Sequence, residues 1–315
     1  MNEASPSPGP ADRAQNDVAE SSRLAELAEH PEAARYLEGS RVELVRPRPA
    51  GPAIAHVLFD HDGTISTLRE GWERVMSEMM VREILGPCAG DAEEPLLARI
   101  RRRVSELIEE TTGHQTLVQM RALAEMVRQF ALVPPADVLD LHGYKAIYLR
   151  ELAAMMGTRL ADLRAGRRPP ADFLIPGAGE FLRLLAGRGV KLYLASGTDV
   201  DDVRDEARLL GYADLFEDRI YGAVGDVRVE AKQAVIESIL REHSLPPAEL
   251  AVVGDGPVEI RLAPPGALGI GVASDELHPG RLNPAKRARL IRAGADYIVA
   301  DFTSAEALLA VMAEA

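Results

Sequence analysis

The sequence predicts an α/β fold: a three-layer, Rossmann-like parallel-sheet core with an inserted α-helical cap. Three observations predict it. Apolar, β-favouring runs of strand length recur at residues 54–59, 190–195, 250–253, 268–273 and 297–300, and helical periodicity separates the later ones. The first three runs stop in acidic or small hydroxyl residues, and strand C-termini are where open α/β sheets bind ligands. Between the first and second runs, residues 66–170 read as helix almost throughout, far longer than a simple crossover needs. The expected organisation is an N-terminal extension (1–50), a core built from 51–67 and 171–315, and a helical cap (68–170).

Composition narrows the function classes. A chain of 315 residues holds one large domain or two modest ones, and 47% hydrophobic content is ordinary for a globular protein. A net charge of −13 argues against a general nucleic-acid surface but not against a phosphorylated substrate held by a local cation. The single cysteine, Cys88, excludes an intramolecular disulfide. No apolar run has the length of a membrane span, and the first residues lack a basic-then-apolar signal pattern, so the expected location is cytoplasmic with no membrane partner. Oligomeric state leaves no mark in the sequence.

In chain order, residues 1–16 are rich in Pro, Ser, Asn and Asp and predict disorder. Residues 18–30 have the spacing of a short helix, and the Arg46-Pro47-Arg48-Pro49 stretch reads as an extended linker. No chemistry is visible there. The first strand ends in Asp60-His61-Asp62-Gly63-Thr64. Carboxylates one residue apart repel unless a proton or cation lies between them, and hard oxygen ligands suit Mg²⁺. Asp60 is therefore a candidate nucleophile and Asp62 a candidate general acid and base; the plain alternative is a polar turn.

Four helical patterns make up the cap, at 72–84, 95–108, 114–132 and 138–163. The polar hinge containing Thr112, His114 and Gln115 is a candidate substrate contact, although Thr and Gly between helices are also ordinary caps. The Arg run at 101–103 reads as a solvated face and Trp72 as packing. The second core strand ends in Ser196-Gly197-Thr198-Asp199, where a hydroxyl and exposed backbone N–H groups can hold a phosphoryl oxygen and Asp199 can cap the next helix. Lys232, one of only four lysines, stands at a helix start and offers a compact positive charge. A further strand ends in Gly254-Asp255, with Glu259 one helical turn later. Ser274-Asp275-Glu276 reads as a turn.

These four stretches, in this order, resemble the motifs of the haloacid dehalogenase superfamily over residues 52–315: Asp-x-Asp-Gly-Thr, a strand-end Ser, a helix-start Lys, and Gly-Asp with a following acid. The resemblance implies a Mg²⁺-dependent phosphatase acting on a small phosphorylated metabolite. In it Asp60 forms an aspartyl-phosphate and Asp62 serves as acid and then base. Ser196, Gly197 and Lys232 hold the phosphoryl oxygens, while Asp60, Asp62, Asp255 and Glu259 hold the metal. His61 stands where an apolar residue is usual, and strand alternation points its side chain away from Asp60 and Asp62. Members that break carbon–halogen or carbon–phosphorus bonds typically lack the second aspartate, which this chain keeps. A phosphomutase and, more remotely, a non-enzymatic sensor or partner subunit are the alternatives.

Overall fold

The computed structural model describes residues 10–223 and 231–313. In chain order its strands are β1 (Glu43–Leu44), β2 (His56–Phe59), β3 (Lys191–Asp199), β4 (Ile220–Ala223), β5 (Leu250–Gly254), β6 (Leu268–Val272) and β7 (Tyr297–Val299). Its α-helices are α1 (Pro10–Glu29), α2 (Trp72–Leu85), α3 (Glu94–Thr111), α4 (Thr116–Phe130), α5 (Leu141–Arg164), α6 (Ala178–Gly187), α7 (Val200–Leu210), α8 (Ala213–Phe216), α9 (Ala231–Glu242), α10 (Pro257–Leu262), α11 (Pro284–Ala293) and α12 (Ala305–Ala313).

The strands form one sheet in the order β1-β7-β6-β5-β2-β3-β4, parallel except where β1 runs antiparallel to β7. Consecutive side chains of β2 split between the faces. Val57 and Phe59 join the core shared with α6, α7 and α12, whereas Leu58 joins Val235, Ile236 and Ile239 of α9. Both faces are therefore covered, which is why these strands are apolar throughout rather than alternating. β2 and β5 are central neighbours, so their acidic ends lie side by side.

The chain leaves for α2–α5 after β2 and returns beside its point of exit. Thr67 N donates to the Phe173 carbonyl and Ile175 N to that of Ile65. The inserted helices pack on one another through Met76, Met79, Met80, Ile100, Val104, Leu123, Val127, Tyr144 and Leu152, on the helical spacing expected of an amphipathic bundle. Among the described residues, no helix is long and apolar enough to cross a membrane.

The N-terminal part differs from expectation. Helix α1 begins at Pro10, inside the stretch whose composition predicts disorder, with a proline in the first turn where its missing N–H costs nothing. The rest of that stretch, 1–9, lies outside the described residues. Leu24 and Ala28 of α1 pack with Leu290 and Ile291 of α11. The two-residue β1 extends the sheet, and Glu43 meets Arg287 in a buried bidentate pair at 2.6 and 2.8 Å. The extension thus docks on the core.

Candidate active site

β2 stops at Phe59, and the turn that follows aims its carboxylates along the ends of β3 and β5. Gly63 makes the turn possible. It has φ +73°, and a Cβ there would lie 2.3 Å from Asp255 Oδ2. Lys232, near the start of α9, is only 2% exposed. Its Nζ donates to Asp60 Oδ1 at 2.7 Å and also to Glu259 on α10. Thr64 Oγ1 is 3.4 Å from Asp60 Oδ2. Burial pushes the Asp60 carboxyl up to about 7; the Lys232 ammonium opposes this, and the neighbouring Glu259 and Asp255 add to it. Burial disfavours the Lys232 ammonium, but Asp60 and Glu259 outweigh it and hold the group charged.

Asp62 has different neighbours. Thr198 Oγ1 donates to its Oδ2 at 3.0 Å, with Ser196 Oγ at 3.4 Å. His61 Nδ1 lies 3.2 Å from Asp62 Oδ1, and His61 Nε2 lies 2.7 Å from the Tyr212 hydroxyl. This corrects the strand-alternation argument: His61 lies past the end of β2, in a turn where alternation no longer applies, and its ring meets Asp62. Arg69 lies 3.6 Å from Asp62 and grips Glu206 of α7 at 2.6 and 3.3 Å. Burial pushes the Asp62 carboxyl up, but His61, Arg69 and Thr198 prevail and hold it well below the usual carboxylate range. His61, Asp62 and Glu206 converge closely enough to suggest a metal cluster, but the Arg69 guanidinium already supplies the cation there.

One cavity of about 70 Å³ is lined by Asp60, Asp62, Ser196, Gly197, Lys232 and Asp255, together with Thr112 and His114 from the hinge. Such a volume holds a handful of waters, each needing roughly 15 Å³, or one small molecule. Gln115 does not line it; the residue is buried beside it, with its Cα 3.2 Å from where a Gly197 Cβ would be. Glu259 sits behind Lys232. The hinge presses on the core with no room to spare: a Cβ at Gly197 would lie 2.6 Å from the His114 carbonyl oxygen, and one at Gly113 (φ +96°) 2.6 Å from Glu259. Lys145 of α5 adds a bridge to Asp199 at 2.6 and 2.8 Å. Asp199 makes no side-chain cap for α7, because its carboxylate is taken by that lysine.

Sequence reasoning missed several groups. Arg69, Trp72, Thr116, Gln119, Tyr148 and Thr198 also line the cavity, so Trp72 is more than packing. Ser274 and Glu276 are more than a turn: Ser274 Oγ donates to the Gly63 carbonyl at 3.0 Å, and Glu276 accepts from Lys286 at 2.6 Å. Lys286 also donates to Asp255 Oδ2 at 2.7 Å. The only advance signal was the scarcity of lysine. Two of the four lysines are buried among the site carboxylates.

The donor set fits a divalent cation. Asp60, Asp255, Glu259 and Glu276 outnumber the two ammonium groups they face, and among the described residues Glu259 Oε2 is buried without a hydrogen-bond partner. Uncompensated buried charge is costly, and hard oxygen donors are what Mg²⁺ takes.

Solved structures align with this chain at low identity. A predicted phosphoglycolate phosphatase of Haemophilus somnus aligns with a TM-score of 0.51 at 17% identity, over 81% of this chain and 97% of that one. A haloacid dehalogenase-like family hydrolase of Streptococcus pneumoniae aligns with a TM-score of 0.50 at 18% identity, over 82% and 98%. The β-phosphoglucomutase of Clostridium difficile aligns with a TM-score of 0.49 at 14% identity, over 80% and 92%. No curated protein matches the sequence. The family model for haloacid dehalogenase-like hydrolases matches residues 54–263. That match runs from the strand that leads into Asp60 through the helix carrying Glu259, and on it the chain belongs to the haloacid dehalogenase-like hydrolase family.

Proposed function

We propose that the protein is a Mg²⁺-dependent phosphatase that hydrolyses a small phosphorylated metabolite through an aspartyl-phosphate on Asp60. The observation that carries this reading is the buried contact of Lys232 with both Asp60 and Glu259, at the floor of a cavity that also presents Ser196 and Gly197. A lysine so placed offsets the charge of the nucleophile and of an incoming phosphoryl group at once.

Asp60 attacks phosphorus, and the bond to the leaving oxygen breaks as that oxygen gains a proton from Asp62. Asp62 then takes a proton from water, whose oxygen attacks the aspartyl-phosphate and releases inorganic phosphate. Asp62 is held ionised, which is the state the water-activating half starts from, while the same neighbours weaken it as a base; the acid half depends on a proton delivered to Asp62 as substrate binds. Ser196, Gly197 and Lys232 hold the phosphoryl oxygens. Asp60, the Asp62 backbone carbonyl and Asp255, with Glu259 in support, would hold Mg²⁺, which when bound neutralises phosphoryl charge. The hinge at Thr112 and His114 closes the cavity against water and large substrates.

The test is hydrolysis of an aryl phosphate with Mg²⁺, comparing the wild type with Asp60→Asn and with a chelated sample. Activity lost in both controls supports the reading. Activity that survives Asp60→Asn removes the nucleophile assignment, and label returning to a sugar phosphate instead of water would favour a phosphomutase.

A further inference from the structure

The carboxylate of Asp255 has two differently placed oxygens. Oδ2 accepts from Lys286 Nζ at 2.7 Å, and the same Nζ donates to Glu276 Oε1 at 2.6 Å. For Oδ1 the described residues supply no hydrogen-bond donor, and Asp255 lines the cavity. Lys286 is not a mobile surface group. It is buried, and Asn283 caps its helix by accepting from Ala285 N at 3.0 Å and Lys286 N at 3.1 Å. The next residue, Arg287, is locked to Glu43 of the N-terminal extension. Glu276 and Lys286 both lie beyond the 54–263 span that the family model matches.

We infer that Lys286, held by Glu276, is a specificity-determining residue for the metal. By occupying Oδ2 it leaves Asp255 one oxygen to give. Ca²⁺ takes six to eight oxygen ligands and readily accepts both oxygens of a carboxylate, whereas Mg²⁺ requires six in near-ideal octahedral geometry. A carboxylate limited to one oxygen therefore disfavours Ca²⁺ relative to Mg²⁺. The inference rests on the metal-dependent reading of the same site.

Calorimetric titration of the full-length protein with MgCl₂ or CaCl₂, without substrate, tests it. The wild type is expected to bind Mg²⁺ more tightly than Ca²⁺. Lys286→Met should lower the Mg²⁺/Ca²⁺ affinity ratio about tenfold or more, in the range that outer partners of metal ligands command. Lys286→Met adds net negative charge and raises both affinities, so the ratio and not either affinity is the readout. The double variant Lys286→Met with Glu276→Met keeps the net charge and the fold's charge balance, and it should lower the ratio equally. Lys286→Arg, which keeps a donor, should retain the wild-type ratio. An unchanged ratio in the single and double variants overturns the inference while leaving metal dependence intact. A wild type that binds neither ion removes both.

Discussion

Lys232 Nζ lies 2.7 Å from Asp60 Oδ1, with both groups buried and Glu259 as the second partner of the same ammonium. The proposed nucleophile and its counter-charge are thus fixed before any substrate arrives. Lys232→Met should abolish turnover and, because it strands two buried carboxylates, lower stability by about 3–5 kcal/mol. Thermal unfolding with and without Mg²⁺ checks this: the divalent ion should restore more stability to the variant than to the wild type. A variant as stable as the wild type without metal would show that the ammonium carries no such charge burden.

Burial sets the pH response of Asp60. Its carboxyl is pushed up to about 7, and in the proposed reaction only the ionised form attacks phosphorus, so kcat/KM should fall as pH drops below about 7 when Mg²⁺ is scarce. A proton and a divalent cation compete for this carboxylate. Raising Mg²⁺ should therefore move the acid limb to lower pH. A limb that stays put across a wide range of Mg²⁺ would separate the metal from Asp60.

Arg69 connects the exit to the helical insertion with Asp62, the proposed proton-transfer group. It stands 3.6 Å from Asp62 and is gripped by Glu206, while Arg159 of α5 donates to the carbonyls of Leu68 and Glu70 on either side of it, at 3.0 and 2.7 Å. Arg69→Met should release Asp62 from its position and slow alkyl phosphates by up to about 10²-fold. Aryl phosphates, whose leaving groups need little protonation, should slow much less, and Arg69→Lys should recover part of the loss. Equal losses on both substrate types would mean that Arg69 acts elsewhere than through Asp62.

How far the sequence carried depended on the range of the interaction. Strands β2, β3 and β5 and the polar groups at their ends were legible because each is a local pattern, an apolar run followed by a chemically loaded turn. The insertion was legible because four amphipathic periods filled one gap. The groups around Asp62 and Asp255 were not. Arg69 meets Glu206 across 137 positions and Lys286 meets Asp255 across 31, and no periodicity records such pairings. His61 was misdirected by extending strand alternation past Phe59, where the chain had already turned. Strand β1 has two residues and no pattern of its own; the sheet edge at β7 makes it a strand.

Glu43 and Arg287 show what the N-terminal extension contributes. Both are essentially inaccessible to water, and breaking such a pair from one side costs about 3–5 kcal/mol. Arg287→Met should lower the melting temperature markedly, and Glu43→Met with Arg287→Met should recover most of the loss, because an apolar pair leaves no stranded charge. If the single variant melts like the wild type, α1 and β1 are not coupled to the core through this pair.

Gly197→Ala offers a test of closure that removes no catalytic side chain and keeps the Gly197 backbone N–H proposed to hold a phosphoryl oxygen. Its φ is not in the left-handed region, so alanine brings no backbone strain, yet the new Cβ would lie 2.6 Å from the His114 carbonyl oxygen and 3.2 Å from the Gln115 Cα. Those atoms belong to the hinge between α3 and α4, so the contact is relieved when the hinge lifts. Overpacking of this kind costs about 1–3 kcal/mol, and here the cost falls on the closed state alone. Gly197→Ala should therefore leave the melting temperature almost unchanged, because the core is untouched. It should raise KM about tenfold, the factor that 1.4 kcal/mol of lost closure represents. Hydrogen exchange should become faster around residues 111–116 while β2, β3 and β5 stay protected. A variant with unchanged KM and an equally protected hinge would show that the contact at Gly197 does not govern closure. Tight packing of Thr112–Gln115 on the strand ends would then be incidental to substrate binding.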